Sequence, residues 1–358
     1  MSLFYVKNKL GRVISIDSKE FLYFSGTDYL GMSAHPDFQK LIVEGFSELG
    51  TNHGLSRINN VRMSTFEEFE NQFAIGAGAE KALVWSSGYL AGQATLSYLL
   101  ESTDYIFVSP DTHPAILPEE LKPKIKQTFA DWQREVEETC EQLKPQKILI
   151  LSNSVNPLKP AVYDFSWIGH LPRKHEYKVL LDDSHAFGVT GTSIYGNYSK
   201  WKYLPVDLFV TGSLGKGLGM PAGISLGLTF PLIDIANQRV FRGASPPPPA
   251  YLYAFLKSQL IYEVQKSKLL ENIQYFQVIA ANLGTLDFNP NFPIFLFKDN
   301  KWVKKLEEAK IIVSSFPYPA PTDPWINRIV VAAYHTKGDL SLLGKTLQQI
   351  KDTKPITI

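Results

Sequence analysis

Cysteine is nearly absent from the sequence, because Cys140 is the only one in 358 residues. A single thiol excludes an internal disulfide and a metal site built from clustered cysteines, and it fits a reducing compartment. His170 and His175 are five positions apart and would not share one helical face, so we expect no metal site. The first residues show no basic segment followed by an apolar run, which predicts a cytoplasmic protein without a secretory signal.

An excess of charge of either sign is also absent, since 36 Lys and Arg stand against 35 Asp and Glu. Binding to nucleic acid or to an anionic membrane surface through bulk positive charge is therefore not expected. A long apolar run is missing as well. The uncharged stretch at residues 217–233 is interrupted repeatedly by glycine and proline, so it cannot form a straight membrane-spanning helix.

Hydrophobic residues make up 44% of the chain and charged residues 20%, a composition typical of a globular protein. At about 150 residues per domain, the length predicts one large domain or two unequal ones. Short runs that are apolar on both faces alternate with helical material, which predicts an α/β fold with a buried parallel sheet. The candidate strands are residues 82–85, 105–108, 147–151, 178–181 and 208–210.

The remaining segments give the predicted organisation of the chain. Residues 12–16 and 20–24 alternate as a hairpin, and apolar spacing predicts a helix over residues 36–49. Ser64 and Thr65 are capping-box candidates for a helix that runs to about Gly76. Residues 251–283 are predicted to form one or two long helices. We predict an N-terminal hairpin segment (1–30), a large α/β domain (31–255) and a small α+β domain (256–358).

The strongest local motif is a lysine, Lys216, between two glycines just after a candidate strand. The motif is not a P-loop, because Val210 stands where the first glycine is required and Gly217 follows the lysine where Ser or Thr is required. A lysine with space around it and hydroxyls nearby can instead form a Schiff base with pyridoxal phosphate. On its own the motif would also fit a flexible surface turn.

A second motif, Asp182 to His185, follows the candidate strand that ends at residue 181. The carboxyl end of a strand is where α/β sheets place their ligands. A carboxylate against the ring nitrogen of pyridoxal phosphate keeps that nitrogen protonated, which makes the ring an electron sink. Acidic residues at a strand end also cap helices, but the pairing with Lys216 favours the cofactor interpretation.

Together these motifs resemble the α-oxoamine synthases, fold-type I pyridoxal-phosphate enzymes of the class I and II aminotransferase superfamily. The family includes 8-amino-7-oxononanoate synthase and 2-amino-3-ketobutyrate CoA ligase. The resemblance runs from about residue 21 to about residue 340, with the matching motifs in family order. The motifs are residues 27–32, 54–57, 86–89, 182–185, 211–216 and Arg328.

The resemblance implies roles for individual residues around the cofactor. Lys216 would bind the cofactor covalently and later move the α-proton of the substrate. Asp182 would pair with the pyridine nitrogen, His185 with the phenolic oxygen, and His113 would stack on the ring. The phosphate would be bound by the strand-to-helix turn and by one further hydroxyl, a set comprising Ser87, Gly88, Tyr89 and Ser213.

The resemblance also implies a substrate site. Arg328 matches the arginine that binds the α-carboxylate of the amino acid, a contact that suits the forked guanidinium. Thr27 stands where the family usually has asparagine, a residue that helps to place the substrate. Pro157 appears in the place of a family serine, and Phe316 in the place of an arginine for an acidic acyl chain, which disfavours a free-carboxylate acyl group.

The implied fold is a large domain with a mostly parallel seven-stranded sheet plus a small C-terminal α+β domain. The implied assembly is a homodimer with each active site at the subunit interface. We expect a decarboxylative or Claisen-type condensation of an amino acid with an acyl-CoA thioester. Because of Thr27 and Pro157, plain transamination on the same scaffold remains an alternative. A third interpretation is a non-catalytic binding module, but the retention of Lys216 argues against it.

Overall fold

A computed structural model describes residues 3–318 and 321–353 of the chain. The strands, in chain order, are β1 (Val13–Ile16), β2 (Lys19–Phe24), β3 (Lys81–Trp85), β4 (Tyr105–Val108), β5 (Lys147–Asn153), β6 (Val155–Asn156), β7 (Ala161–Val162), β8 (Glu176–Asp182), β9 (Asp207–Ser213), β10 (Gly223–Gly227), β11 (Asp287–Phe288), β12 (Ile294–Phe297), β13 (Ile311–Pro317) and β14 (Trp325–Val330). The five strands predicted between residues 82 and 210 are all present, each extended by at most a few residues.

The α-helices lie between and after these strands, singly or in groups. In chain order they are α1 (Pro36–Leu49), α2 (Ser64–Ala77), α3 (Gly88–Leu100), α4 (Phe129–Gln142), α5 (Tyr198–Trp201), α6 (Thr229–Asn237), α7 (Arg239–Gly243), α8 (Pro249–Lys257), α9 (Gln259–Leu283), α10 (Lys301–Glu308) and α11 (Lys337–Asp352). The long helical segment predicted at residues 251–283 is thus two helices, α8 and α9, separated at Ser258. None of the described helices combines the length and the apolar character that crossing a bilayer requires.

The large sheet has the strand order β3-β10-β9-β8-β5-β4. Its neighbours from β9 to β4 are parallel, whereas β10 is antiparallel to both β9 and β3. The central strands are apolar on both faces, and Val179, Leu180 and Leu181 of β8 are fully buried. This pattern confirms the predicted α/β fold with a mostly parallel buried sheet.

The predicted count of seven strands is wrong for the described residues, because this sheet has six. Among those residues, the strand β4 pairs with β5 alone. The chain that follows it carries Pro118 and Pro123 before α4 begins. Proline has no backbone N–H to donate to a ladder, so this segment forms turns where a further edge strand would have to pair.

A second sheet has the order β1-β2-β13-β14-β12-β11. The predicted N-terminal hairpin is present, and its strand β2 pairs in parallel with β13 near the other end of the chain. The hairpin therefore shares one sheet with the C-terminal strands, although the sequence pattern placed the two in separate parts. The boundaries at residues 30 and 255 stay predictions.

The capping box predicted for α2 is wrong. The helix begins at Ser64 as expected, but its N-cap residue is Met63, and no side chain caps the first turn. Thr65 is buried within the first turn instead of capping it from outside. At the other end Gly78 adopts a φ of 71°, a left-handed conformation that glycine tolerates, and this ends the helix.

Candidate active site

The predicted site residues lie where the parallel strands of the large sheet end. Asp182 is the last residue of β8 and Ser213 the last of β9, while α3 begins at Gly88, shortly after β3 ends. The carboxyl ends of adjacent parallel strands meet at one edge of a sheet, and ligands bind there in α/β folds. The topology therefore brings segments more than 100 residues apart to one place.

Lys216 and His185 form the centre of this site. The Nζ atom of Lys216 lies 2.9 Å from Nε2 of His185, and Nδ1 of His185 lies 2.8 Å from the hydroxyl of Tyr29. Burial lowers the pKa of Lys216 to about 8, with the nearby charge of Arg328 acting in the same direction and Asp182 opposing it. At pH 7 about a tenth of this amine is therefore neutral, and so nucleophilic, a far larger share than for an ordinary lysine.

Asp182 and His113 face each other beside this centre. Oδ2 of Asp182 lies 3.8 Å from Nδ1 of His113, and Oδ1 accepts a 2.7 Å hydrogen bond from the backbone N–H of Ser184. Asp182 is buried, whereas the His113 side chain is 44% exposed. Burial lowers the pKa of His113, and the carboxylate of Asp182 opposes that shift. The arrangement gives a fixed carboxylate beside an imidazole that a planar ligand can reach.

The predicted phosphate turn is built from the start of α3 and the end of β9. The Ser87 hydroxyl caps α3 by accepting from the backbone N–H of Leu90 at 3.2 Å. A Cβ at Gly88 would lie 2.4 Å from the backbone nitrogen of Ser213, so only glycine permits this contact. Ser213 accepts from the N–H of Gly215 at 3.2 Å, and Tyr89 is 58% exposed. A helix N-terminus suits an anion.

Arg328 lies on β14, in the second sheet, and faces the same site. This residue is 7% exposed, and its Nη1 donates to the carbonyl of Pro157 at 3.3 Å. Within the described residues, Nε of Arg328 is buried without a hydrogen-bond partner. Burial lowers the pKa of this guanidinium, and the nearby Tyr29 opposes the shift. A buried cation with an unused N–H is suited to a carboxylate ligand.

Tyr29 was missed as a site residue, although the motif at residues 27–32 contains it. It is fully buried, and burial raises the pKa of its phenol, which keeps the hydroxyl protonated. Thr27, the predicted substrate residue, accepts from the N–H of Tyr29 through its backbone carbonyl at 2.9 Å. The structure thus gives Thr27 a part in placing Tyr29, and a contact of Thr27 with substrate stays a prediction.

Asp183 and Ser184 were also missed, between two residues that carried predicted roles. The hydroxyl of Ser184 accepts from the backbone N–H of Ser213 at 2.8 Å, which joins the ends of β8 and β9. Asp183 is fully buried and accepts from the N–H of Asn197 at 2.6 Å, and burial raises its pKa to about 6. These contacts hold the strand ends that present Asp182 and His185.

Across residues 3–318 and 321–353, no group of three or more His, Cys, Asp or Glu side chains could hold a metal ion.

The chain matches a known protein family over most of its length. The family model described as aminotransferase class I and II matches residues 19–345. The chain therefore belongs to the aminotransferase class I and II family.

Individual relatives show which enzymes of this family the chain is similar to. The chain is 26% identical over 352 residues to a putative 8-amino-7-oxononanoate synthase of Desulfovibrio desulfuricans, covering 94% of this chain and 91% of the relative. Among solved structures, it is similar to a serine palmitoyltransferase from S. paucimobilis with bound PLP and myriocin (TM-score 0.82, 18% identity, 97% and 92% coverage). It is also similar to the 8-amino-7-oxononanoate synthase of Francisella tularensis (TM-score 0.68, 20% identity, 92% and 98% coverage). The predicted membership of the class I and II aminotransferase superfamily and the predicted fold are confirmed.

Proposed function

We propose that this chain catalyses the condensation of an amino acid with an acyl-CoA thioester, using pyridoxal phosphate. The observation that carries the proposal is the placement of the Lys216 amine near both the carboxylate of Asp182 and the guanidinium of Arg328. Chemistry on an α-amino acid bound to a pyridinium cofactor requires three groups. These are an amine for the aldehyde, a carboxylate for the ring nitrogen and a cation for the α-carboxylate. The relatives named 8-amino-7-oxononanoate synthase support an acyl-transfer reaction.

The residues present fit pyridoxal phosphate. Lys216 would bind its aldehyde carbon, and Asp182 would face its ring nitrogen. The phosphate would lie at the start of α3. Gly88 approaches Ser213 so closely there that the turn has no space for a side chain. His113 would stack on the ring from its exposed side. When bound, the cofactor supplies an electron sink for the bond that breaks at the α-carbon.

The residues of the chain have separate tasks in this reaction. Arg328 binds the α-carboxylate of the amino acid and so orients the substrate over Lys216. The Lys216 amine, with its pKa lowered to about 8, accepts a proton from the α-carbon at Nζ. His185 and Tyr29 hold Nζ in place through the hydrogen bonds at 2.9 and 2.8 Å. The backbone N–H of Ser184 fixes the orientation of Asp182.

The overall step balances with no co-reactant other than, in the decarboxylative form, one proton from solvent. A carbon–carbon bond forms between the α-carbon and the thioester carbonyl carbon, and the carbon–sulfur bond to CoA breaks. In the decarboxylative form the carboxylate leaves as carbon dioxide and the proton removed in the first step returns to the α-carbon, while one further proton, taken from solvent, protonates the CoA thiolate. Coenzyme A leaves as the free thiol. No oxidant or reductant is consumed.

Transamination is the second candidate, and one contact favours it. The carbonyl of Pro157, at the place of a family serine, accepts from Arg328 at 3.3 Å, and proline has no hydroxyl to offer an acyl-CoA there. Transamination needs Lys216, Asp182 and Arg328 but no acyl-CoA site. A binding module, the third interpretation, would catalyse neither reaction, so Lys216→Ala would have no activity to remove.

The test is an assay of the cofactor-loaded protein with glycine, alanine and serine in turn, with and without an acyl-CoA. We expect release of free CoA only when an amino acid and an acyl-CoA are both present. Lys216→Ala should abolish the release. Conversion of the cofactor to its amine form and production of a keto acid, both independent of acyl-CoA, would show transamination instead. A folded protein that binds no cofactor and catalyses neither reaction would be a binding module.

We further propose that the protein is a cytoplasmic homodimer. Leu55, Ile58 and Val61 are exposed apolar side chains on the loop between α1 and α2, and Tyr89 is exposed at the start of α3. Apolar side chains concentrated on one loop are typical of a surface that a second subunit covers. Light scattering measures the mass: twice the chain mass supports the proposal, and a monomer at micromolar concentration contradicts it.

A further inference from the structure

A cavity of about 320 Å³ lies between the N-terminal segment and strand β13. Most of its lining residues are apolar, and Glu307 is the only charged residue among the described ones that line it. The N-terminal segment contributes Phe4, Val6 and Leu10, and the second sheet contributes Ile14, Ile312 and Phe316. The cavity is thus suited to an uncharged apolar ligand and not to an anion.

The cavity adjoins the candidate active site through Phe316 and Tyr23. The guanidinium of Arg328 lies 5.2 Å from the ring centroid of Phe316, and Tyr23 is an electrostatic neighbour of Arg328. In the ladder between β13 and β14, Ser314 stands opposite Arg328. Opposed residues of an antiparallel pair project from the same face of the sheet. Ser314 lines the cavity, so the cavity and Arg328 share one face of the second sheet.

We propose that this cavity binds the hydrocarbon chain of the acyl-CoA substrate, and that the chain is uncharged and has roughly ten carbons. The inference rests on the proposed condensation. At about 30 Å³ for each water-sized group, the volume holds about ten methylene-sized groups. That is larger than any apolar amino-acid side chain, so the amino-acid substrate does not account for the cavity. An acyl chain with a terminal carboxylate would find no cation among the described residues that line the cavity.

The test is the binding of acetyl-, hexanoyl-, decanoyl- and palmitoyl-CoA to the cofactor-loaded protein by calorimetry, without amino acid, so that no turnover occurs. We expect affinity to rise by about fourfold per added methylene, the equivalent of ~0.8 kcal/mol, up to the decanoyl chain and then to level off. Affinity that does not depend on chain length would overturn the inference. So would equally tight binding of an acyl-CoA of the same length with a terminal carboxylate.

A pair of substitutions locates the site. Leu10→Trp places an indole ring in the cavity instead of an isobutyl side chain and should move the preferred chain to hexanoyl, with at least about tenfold weaker binding of decanoyl-CoA. Leu342→Trp is the matched control, because Leu342 is exposed to a similar extent (49% against 45%) and does not line the cavity. An unchanged chain-length profile in folded Leu10→Trp protein would contradict the placement. If that variant does not fold, the profile of the unsubstituted protein still decides the preferred length.

The outcomes separate this inference from the proposed function. Release of CoA with amino acid, but with no preference among chains, would leave the condensation standing and overturn the acyl cavity. Length-dependent binding without any CoA release would overturn the condensation, and with it the interpretation of the cavity as a substrate subsite. An activity that depends on the apolar side chain of the amino acid, and not on the acyl chain, would assign the cavity to the amino acid.

Discussion

The amine of Lys216 lies 2.9 Å from Nε2 of His185, and the opposite nitrogen of that imidazole is held at 2.8 Å by the hydroxyl of Tyr29. Because Tyr29 is fully buried and its phenol stays protonated, the ring of His185 has a fixed orientation. Burial lowers the pKa of His185 well below its ordinary value, so the ring that faces Lys216 is neutral. Lys216 is therefore positioned by a neutral contact and not by an ion pair.

Replacement of Lys216 by Ala should remove covalent cofactor binding and reduce CoA release by about 10³-fold or more, since both the nucleophile and the base are lost. The visible absorption spectrum and the CoA assay measure the two effects. Lys266→Ala is the matched control. Burial also lowers the pKa of Lys266 to about 8, but its amine donates to backbone carbonyls, including that of Gly191 at 2.9 Å. That variant should keep the spectrum, and loss of the spectrum in both variants would contradict the assignment.

The rate at which the cofactor-free protein captures pyridoxal phosphate should depend on pH with a midpoint of about 8. Only the neutral amine attacks the aldehyde, so the rate should rise with pH through the pKa of Lys216 and level off above it. Below the midpoint the rate should fall by about tenfold per pH unit. Stopped-flow absorbance at a series of pH values gives the profile. A midpoint near 10.5, the ordinary value for lysine, would show that the amine is not desolvated.

Arg328→Lys should raise the KM for the amino acid and lower kcat/KM by about 30-fold, which corresponds to about 2 kcal/mol of lost charged hydrogen bonding. Lysine supplies the charge but not the forked pair of donors. Cofactor binding should be unchanged. Arg12→Lys is the control, because Arg12 pairs with Asp339 at 2.7 Å, away from Lys216. An Arg328→Lys variant with unaltered KM would show that the carboxylate binds elsewhere.

Gly88→Ala should weaken binding of pyridoxal phosphate and destabilise the fold by about 1–3 kcal/mol, because the added Cβ would lie 2.4 Å from the nitrogen of Ser213. Thermal unfolding and titration with the cofactor measure the two effects. Gly243→Ala is the matched control, because a Cβ added at Gly243 would have no neighbouring atom within 4 Å. Equal behaviour of the two variants would mean that the turn between β3 and α3 does not bind the phosphate.

Much of the fold and part of the site follow from local sequence. The buried strand β8 is apolar at successive positions, so its existence and its place in a buried parallel sheet can be inferred from the sequence. Asp182 stands at a strand end and Lys216 shortly after one, and this position alone marks both as candidate site residues.

Other features depend on contacts between distant segments. Tyr29 and His185 are 156 residues apart, and nothing in the local pattern indicates that their side chains meet. The pairing of β2 with β13 is equally remote. The seventh strand was expected from the family pattern, but the prolines at 118 and 123 leave that edge without a ladder. The predicted capping box is wrong because Thr65 is buried within the helix, and that burial depends on tertiary packing.

The proposed condensation is tested most directly by the stoichiometry of the reaction of the cofactor-loaded protein with one amino acid and decanoyl-CoA. We expect one free CoA thiol for each amino acid consumed, with a product that contains the acyl chain joined to the α-carbon, and neither in the Lys216→Ala variant. Consumption of the amino acid to a keto acid, with the acyl-CoA recovered intact, would contradict it.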